Sequence, residues 1–80
     1  MYYFKKDNKF YIVGDEVFDD KETGKEKIYV TTQWGKIGSN GTARFKKFDN
    51  RTDALYFYYK KVKELTDKDY ISIYHKNEVF

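Results

Sequence analysis

The residues of this chain that are best suited to chemistry lie around its single tryptophan, Trp34, which is followed by Gly35 and Lys36. Trp34 stands at the end of a β-strand pattern. Because glycine has no Cβ, Gly35 can leave one face of the indole uncovered. Side chains two positions apart on an extended chain project to the same side, so Trp34 and Lys36 should converge. An exposed ring beside a cation suits contact with a sugar or an unstacked base together with a phosphate.

These candidate residues also have structural interpretations, and the sequence leaves the choice open. Trp34 shares its alternation phase with Ile28 and Val30, as a core residue would. Asn8 follows Asp7 in a tight turn, a position that asparagine favours for backbone reasons alone. A ligand role and a purely structural role therefore both stay open for Trp34 and for Asn8.

Positive charge is concentrated in the middle of the chain. Residues 36–65 carry eight Lys+Arg and three Asp+Glu, although the whole chain has a net charge of only +3. Basic clusters with nearby rings are typical of nucleic-acid binding, and a solvated surface is the ordinary alternative. Lys9 adds a cation beside Trp34 if their strands are neighbours. Arg44 and Lys46 join the same surface only if they lie beside Trp34, and otherwise they form a charged edge strand that prevents aggregation.

Composition argues against catalysis and metal binding. The chain has no Cys and one His, so no thiolate or histidine-rich metal site is expected. The acidic pair Asp19 and Asp20 lacks a partner histidine or a third carboxylate, and neither Ser39 nor Ser72 stands in a nucleophile-elbow pattern. We therefore expect a protein that is not an enzyme, with no cofactor and no small-molecule substrate.

Length and hydropathy predict one cytoplasmic domain. Eighty residues give room for a single domain, residues 1–80. No apolar run approaches the ~18 residues of a membrane span, so no membrane partner is expected. The first residues have no signal-peptide pattern, and the absence of cysteine is compatible with a reducing compartment.

Apolar and polar residues alternate with the period of a β-strand in several short runs separated by turn signals. The runs predicted as strands are Tyr2–Lys5, Lys9–Val13 with an extension toward Phe18, Lys27–Trp34, Thr42–Phe48 and a fifth that includes Ile71 and Ile73. Because the turns are short, neighbouring strands are expected to pair antiparallel.

One segment, Thr52–Leu65, changes to helical spacing. Its stripe of Ala54, Tyr58 and Leu65 is expected to pack on Ile12, Val30 or both. Asn50 three residues before Asp53 predicts the cap at the start of the helix. Strands grouped before a single helix predict an α+β fold, an antiparallel β-sheet of four to five strands with one α-helix packed on it.

The residues around Trp34 resemble the signature of a known family. The run Gln33–Gly41, QWGKIGSNG, is similar to the Trp-Gly-Arg segment that gives the WGR domain its name. Further landmarks in the family's order are Asn8-Lys9-Phe10-Tyr11, Tyr29-Val30, Phe48 with Ala54 and Tyr58, and the turn Lys63–Tyr70, KELTDKDY. The resemblance covers roughly residues 3–74 and implies a WGR-like α+β domain.

The resemblance implies DNA binding. WGR domains occur in bacterial proteins and in DNA-dependent poly(ADP-ribose) polymerases, where they grip DNA near a strand break, close to the 5′ terminus. In the polymerases the signature Trp packs on the terminal sugar and the signature Arg meets backbone phosphate. Lys36 replaces that Arg, which keeps the charge but loses the two-pronged donor. The residues expected to bind nucleic acid are Asn8, Lys9, Trp34, Gly35, Lys36, Arg44 and Lys46.

Two functions from different classes stay open. The first is a stand-alone WGR-type module that binds the DNA backbone at ends or nicks through a Trp stack and basic residues. The second is a small protein-interaction module, such as an adaptor or a phage-encoded inhibitor that occupies the site of a nucleic-acid-processing or defence enzyme. Acidic turns at residues 15–20 and 67–69 leave room for a protein partner.

Overall fold

Five antiparallel strands and one helix form residues 1–75, the part of the chain that the computed structural model describes. In chain order the elements are β1 (Tyr2–Lys6), β2 (Lys9–Asp19), β3 (Glu26–Lys36), β4 (Thr42–Phe48), α1 (Arg51–Asp67) and β5 (Ile71–His75). The strands lie side by side in the order β4-β3-β2-β1-β5, and every neighbouring pair is antiparallel. The predicted α+β architecture is confirmed.

The hairpin of β2 and β3 forms the long axis of the sheet. β2 continues through Gly14 to Asp19, because Gly14 pairs with Thr31 inside the ladder instead of ending the strand. A Cβ at Gly14 would lie 2.9 Å from the Thr31 hydroxyl oxygen, so the missing side chain lets the Thr31 side chain lie over the ladder. In the turn that follows, the Asp20 carboxylate accepts a hydrogen bond from the Glu22 backbone N–H (2.9 Å), which lowers the pKa of Asp20.

The helix α1 covers one face of the sheet and leaves the other open. The covered face holds the side chains that alternate in phase with Val13 on β2 and Val30 on β3, and the open face holds those between them. The core between sheet and helix consists of Phe4, Val13, Ile28, Val30, Ala54, Tyr58 and Leu65. Burying a large side chain of this set contributes roughly 1.5–3 kcal/mol. Ile12 has the opposite phase and lies on the open face, so only the Val30 part of the packing expectation is confirmed.

The ends of α1 follow local chemistry. The Asn50 side chain accepts a hydrogen bond from the Asp53 backbone N–H (2.9 Å) and donates one to the Asp53 carboxylate (3.0 Å), which confirms the predicted cap. The helix is longer than its apolar stripe and ends at Asp67. Two residues later, Asp69 adopts a positive φ of 67°. That left-handed residue turns the chain so that the Tyr70 N–H donates to the Leu65 carbonyl oxygen (3.0 Å).

A bidentate ion pair joins the start of α1 to the start of β3. The Arg51 Nε and Nη2 atoms donate to the two carboxylate oxygens of Glu26 at 2.9 and 3.0 Å. These hydrogen bonds raise the pKa of Arg51. The pair is largely exposed, so its effect is to orient the helix across the sheet. Within residues 1–75, no helix combines the length and the apolar character that crossing a membrane requires.

Candidate nucleic-acid interface

Trp34 lies near the end of β3 on the covered face, half-buried and flanked by side chains of the adjacent strands. Its register partner on β2 is Tyr11, whose ring stacks on the indole with centroids 5.6 Å apart and planes 13° apart. From β4, the guanidinium carbon of Arg44 lies 5.9 Å from the indole centroid. The indole is therefore oriented by an aromatic stack and a cation while part of it remains accessible.

A row of three lysines crosses the sheet next to Trp34. Lys36 on β3 pairs with Lys9 on β2, and Lys9 pairs with Lys6 on β1. The Lys6 Nζ donates to the Lys68 carbonyl oxygen (2.8 Å), whereas neither Lys9 nor Lys36 makes an ion pair within residues 1–75. Like charges directly opposite one another on neighbouring strands are destabilising. An anion placed over this row would remove that repulsion.

The lysine row borders a cavity of about 290 Å³, here called the lysine cleft. Lys9 and Lys36 line it together with Trp34 and Tyr70. The Tyr70 ring meets the Tyr11 ring edge-on, with centroids 6.1 Å apart, and so closes the stack of rings behind the indole. The cleft thus combines two cations with an aromatic wall.

A second cavity, here called the β4 groove, opens on the other side of Trp34 between β4 and α1, with a volume of about 380 Å³. Its cations are Arg44, Lys46 and Lys61, and its aromatic lining includes Trp34 and Phe57. The Lys46 Nζ lies 5.1 Å from the Phe57 centroid, so its stem packs on a ring while the charge faces the groove. Trp34 lines both cavities and stands in the middle of one basic surface.

A sequence profile of the WGR domain matches residues 3–77, nearly the whole chain. The chain belongs to the WGR domain family. At the level of that family it is a nucleic-acid-binding module. Comparison with curated proteins and with solved structures gave no match to this chain.

In this WGR domain, Arg44 and Lys46 lie on the covered face, in register with Thr32 and Val30. They therefore share the surface of Trp34, the arrangement on which their inclusion in the candidate site depended. Lys47, between them and Phe48 in sequence, has the opposite phase and projects from the open face. Only alternate cations of β4 face the indole.

Asn8 lies in the two-residue turn between β1 and β2, next to the lysine row. Its backbone carbonyl oxygen accepts a hydrogen bond from the Ile37 N–H (2.8 Å). That bond fastens the turn to the end of β3 and keeps Lys9 beside Lys36. Asn8 is exposed, so its side chain can reach a ligand lying on the row.

Gly35 has a different role from the one that the sequence suggested. It has the opposite phase to Trp34, so its missing side chain does not uncover the indole. A Cβ at Gly35 would lie 2.7 Å from the Cα of Gly41 and 3.2 Å from the Ser39 hydroxyl oxygen. Gly35 is required because the β3–β4 loop folds back over it on the open face. Gly35 therefore positions the loop that follows Lys36, and it also lines the lysine cleft.

Sequence reasoning missed several residues of this surface, which are Lys6, Tyr11, Lys61 and Tyr70. A signal existed for Lys6, because the tight turn at Asp7 and Asn8 forces it opposite Lys9. Tyr11 stood in the Asn-Lys-Phe-Tyr landmark without a role of its own. Tyr70 likewise ended the Lys63–Tyr70 landmark without a role of its own. No local pattern pointed to Lys61, since the packing of α1 brings it to Trp34.

Proposed function

We propose that this WGR domain binds DNA at ends or nicks, with Trp34 on the sugar or the unstacked base of the 5′-terminal nucleotide. The observation that carries the proposal is the central position of Trp34 between two cation-lined cavities. Backbone phosphates on either side of the terminal nucleotide would meet Lys9 and Lys36 in the lysine cleft and Arg44 and Lys46 in the β4 groove. Such contacts position the duplex without reading its sequence.

A terminus suits a single exposed ring better than a continuous duplex does. Inside a duplex both faces of each base are already stacked on neighbouring bases, so no base face is free to stack on the Trp34 indole. At an end or nick one face of the terminal nucleotide is free, and stacking on an aromatic side chain contributes roughly 1–3 kcal/mol per base. The preference for broken over intact DNA should therefore reside in Trp34, and the salt-dependent part of the affinity in the cations.

Lysine at position 36 favours a diffuse phosphate contact over a single fixed one. An ammonium group is a point charge with three rotatable donors, whereas arginine presents a planar fork. With Lys6, Lys9 and Lys36 in one row, the positive charge extends across three strands. A phosphate can therefore be held at several points along the row, which suits binding to backbone of any sequence.

The direct test is a comparison of labelled nicked duplex, intact duplex and single strand at several salt concentrations. We expect the nicked duplex to bind most tightly. With about three phosphate contacts, log K against log salt should fall with a slope of about −2 to −3. Equal affinity for nicked and intact DNA would remove the role of the terminus. If no DNA binds at low salt, the protein-interaction module, an adaptor or an inhibitor of a nucleic-acid-processing enzyme, becomes the better hypothesis.

A further inference from the structure

The open face of the sheet carries exposed rings that no other element within residues 1–75 covers. Phe18, Tyr29 and Phe45 form a ladder across β2, β3 and β4, with successive centroids 5.6 and 6.3 Å apart. Phe45 is 73% exposed and Phe18 is 51% exposed. The other apolar side chains of this face are Tyr3, Phe10, Ile12, Ala43, Ile71 and Tyr74. A contiguous apolar surface of this kind marks an interaction site.

The charges of the open face favour a protein over a nucleic acid. Its central row consists of Glu16 on β2, Tyr29 on β3 and Lys47 on β4, so one acid and one base flank the middle ring. On one side of it the next row contains Gly14, Thr31 and Phe45 and no charge. On the other side Phe18 pairs with Lys27, whose charge is paired with Asp49 at 3.2 Å, and Lys5 lies away from the centre on β1. Aromatic side chains with few charges at the centre are the composition of a protein–protein interface. A phosphate track needs a row of cations, and that row lies on the covered face.

We propose that the open face binds a second copy of this chain, face to face, about a two-fold axis that runs along β3. In that arrangement β2 of each copy lies opposite β4 of the other, row against row. Glu16 then meets Lys47 of the second copy, and by symmetry the contact occurs twice. In the next row, Phe45 faces the Gly14 position of the second copy, which lies beside the Thr31 hydroxyl and the Met1 methyl group. The face is therefore complementary to itself in charge.

The size of the overlap predicts a weak dimer. The eleven residues of β3 and two flanking strands that overlap over the seven residues of β4, at a spacing of about 4.8 Å and a rise of about 3.3 Å per residue, give a flat overlap of roughly 400 Å² per copy. That area is below the ~800 Å² per partner of a standard stable interface. A Kd on the order of 10–100 µM is therefore expected, which sedimentation velocity can measure directly.

Charge reversal at the two facing positions tests the two-fold arrangement. Glu16→Lys and Lys47→Glu each place like charges opposite one another in a homodimer, so each variant alone should be at least tenfold weaker in self-association. Mixed together, the two variants should form a heterodimer, because both contacts become Lys opposite Glu. The double variant should self-associate like the original chain. Both residues are exposed, so the fold should not change. Failure of the mixture to associate would overturn the proposed axis.

A second pair of variants tests the face itself. Phe45→Ser should abolish self-association, whereas Tyr56→Ser, which removes a ring of similar exposure (70%) from α1, should leave it unchanged. A wild-type chain that stays monomeric up to 500 µM, well above the expected Kd of about 10–100 µM, would overturn the proposal. So would a Tyr29→Ser variant that loses DNA affinity at nanomolar concentration, since Tyr29 lines neither cavity beside Trp34 and the open face would then belong to the nucleic acid.

Discussion

Part of the Trp34 indole is packed and part is accessible, because its neighbours are a ring and a cation that support it without covering it. Tyr11 stacks on the indole at 5.6 Å, and Arg44 lies 5.9 Å from its centroid. These contacts fix the orientation of the ring before a ligand arrives, so less side-chain entropy is lost on binding. A platform of this kind is pre-organised at the place where the two cavities meet.

The first prediction concerns that platform. Trp34→Ala should weaken binding to nicked duplex by roughly 1–3 kcal/mol, because the stacking surface is removed. The domain should stay folded, since the lost contact with Tyr11 is one aromatic pair worth about 0.5–1.5 kcal/mol beyond its buried area. Thermal unfolding and DNA titration on the same variant measure both effects. Trp34→Phe is the control that keeps a ring. A folded Trp34→Ala variant with undiminished affinity would exclude the platform role.

The second prediction assigns the salt dependence to the lysine row. Lys9→Gln and Lys36→Gln should each make the slope of log K against log salt less steep by about one, because each removes one phosphate contact. The matched control is Lys47→Gln, which removes the same charge from the open face and should leave the slope unchanged. Titrations at nanomolar protein keep self-association out of the measurement. Equal effects of all three substitutions would point to net charge alone.

At the scale of elements, the β3–β4 loop decides where β3 ends and where Lys36 projects. The loop folds back on the open face, where Gln33 donates to the Asn40 carbonyl oxygen (2.6 Å). Gly41 has a φ of 67°, and a Cβ there would overlap the carbonyl oxygen of Trp34. The loop therefore tolerates no side chain at this position.

The third prediction follows from that close approach. Gly41→Ala should destabilise the domain by more than the ~1–2 kcal/mol expected for a left-handed alanine alone, since the backbone of Trp34 must also move. Gly24→Ala is the matched control, because Gly24 has a similar φ of 70° with no atom within 4 Å of the added carbon. Urea unfolding of the two variants measures the difference. Equal losses of stability would mean that the loop adjusts freely.

The fourth prediction concerns the start of α1. Asn50→Ala removes both the hydrogen bond to the Asp53 N–H and the one to its carboxylate, and should lower the free energy of unfolding by roughly 0.5–2 kcal/mol. Asn40→Ala is the control, because Asn40 contributes its backbone oxygen to the loop. Urea denaturation distinguishes them. Because Lys61 and Phe57 reach the β4 groove from α1, fraying of the helix should also weaken DNA binding slightly.

At the scale of the whole molecule, the two faces of the sheet divide the surface into a basic half and an apolar half. The cations beside Trp34 lie on the covered face, and the ring ladder lies on the open one. The net charge of +3 hides this division, because alternate residues of the same strands supply the two faces.

The fifth prediction rests on both proposals. A dimer joined through its open faces turns its two Trp34 sites in opposite directions, so one dimer can hold two DNA ends. Energy transfer between donor-labelled and acceptor-labelled duplexes should rise as protein concentration passes the Kd of the dimer. Tyr29→Ser, which changes the middle ring of the open face and lines neither cavity, should abolish the transfer without changing the affinity for a single duplex. Transfer that persists in Tyr29→Ser would show that bridging does not need the open face.

The sequence by itself determined the elements and part of the site. Local propensities and periods act within a few residues, so the strands, the helix and the Asn50 cap were predictable from the chain alone. The alternation of β3 also determined that Trp34 and Lys36 share a face. The WGR landmarks added Lys9 and Asn8 to the predicted site.

Tertiary structure alone decided which face the helix covers and that β5 lies beside β1. A period of two defines two faces without saying which is buried. The helix was therefore expected to pack on Ile12, Val30 or both, and Gly35 was expected to uncover the indole although its own position faces the other side. The lysine row exists because β1, β2 and β3 pair in one register. Lys61 reaches the β4 groove only through the packing of α1. These placements depend on contacts between residues distant in sequence, which no local pattern encodes.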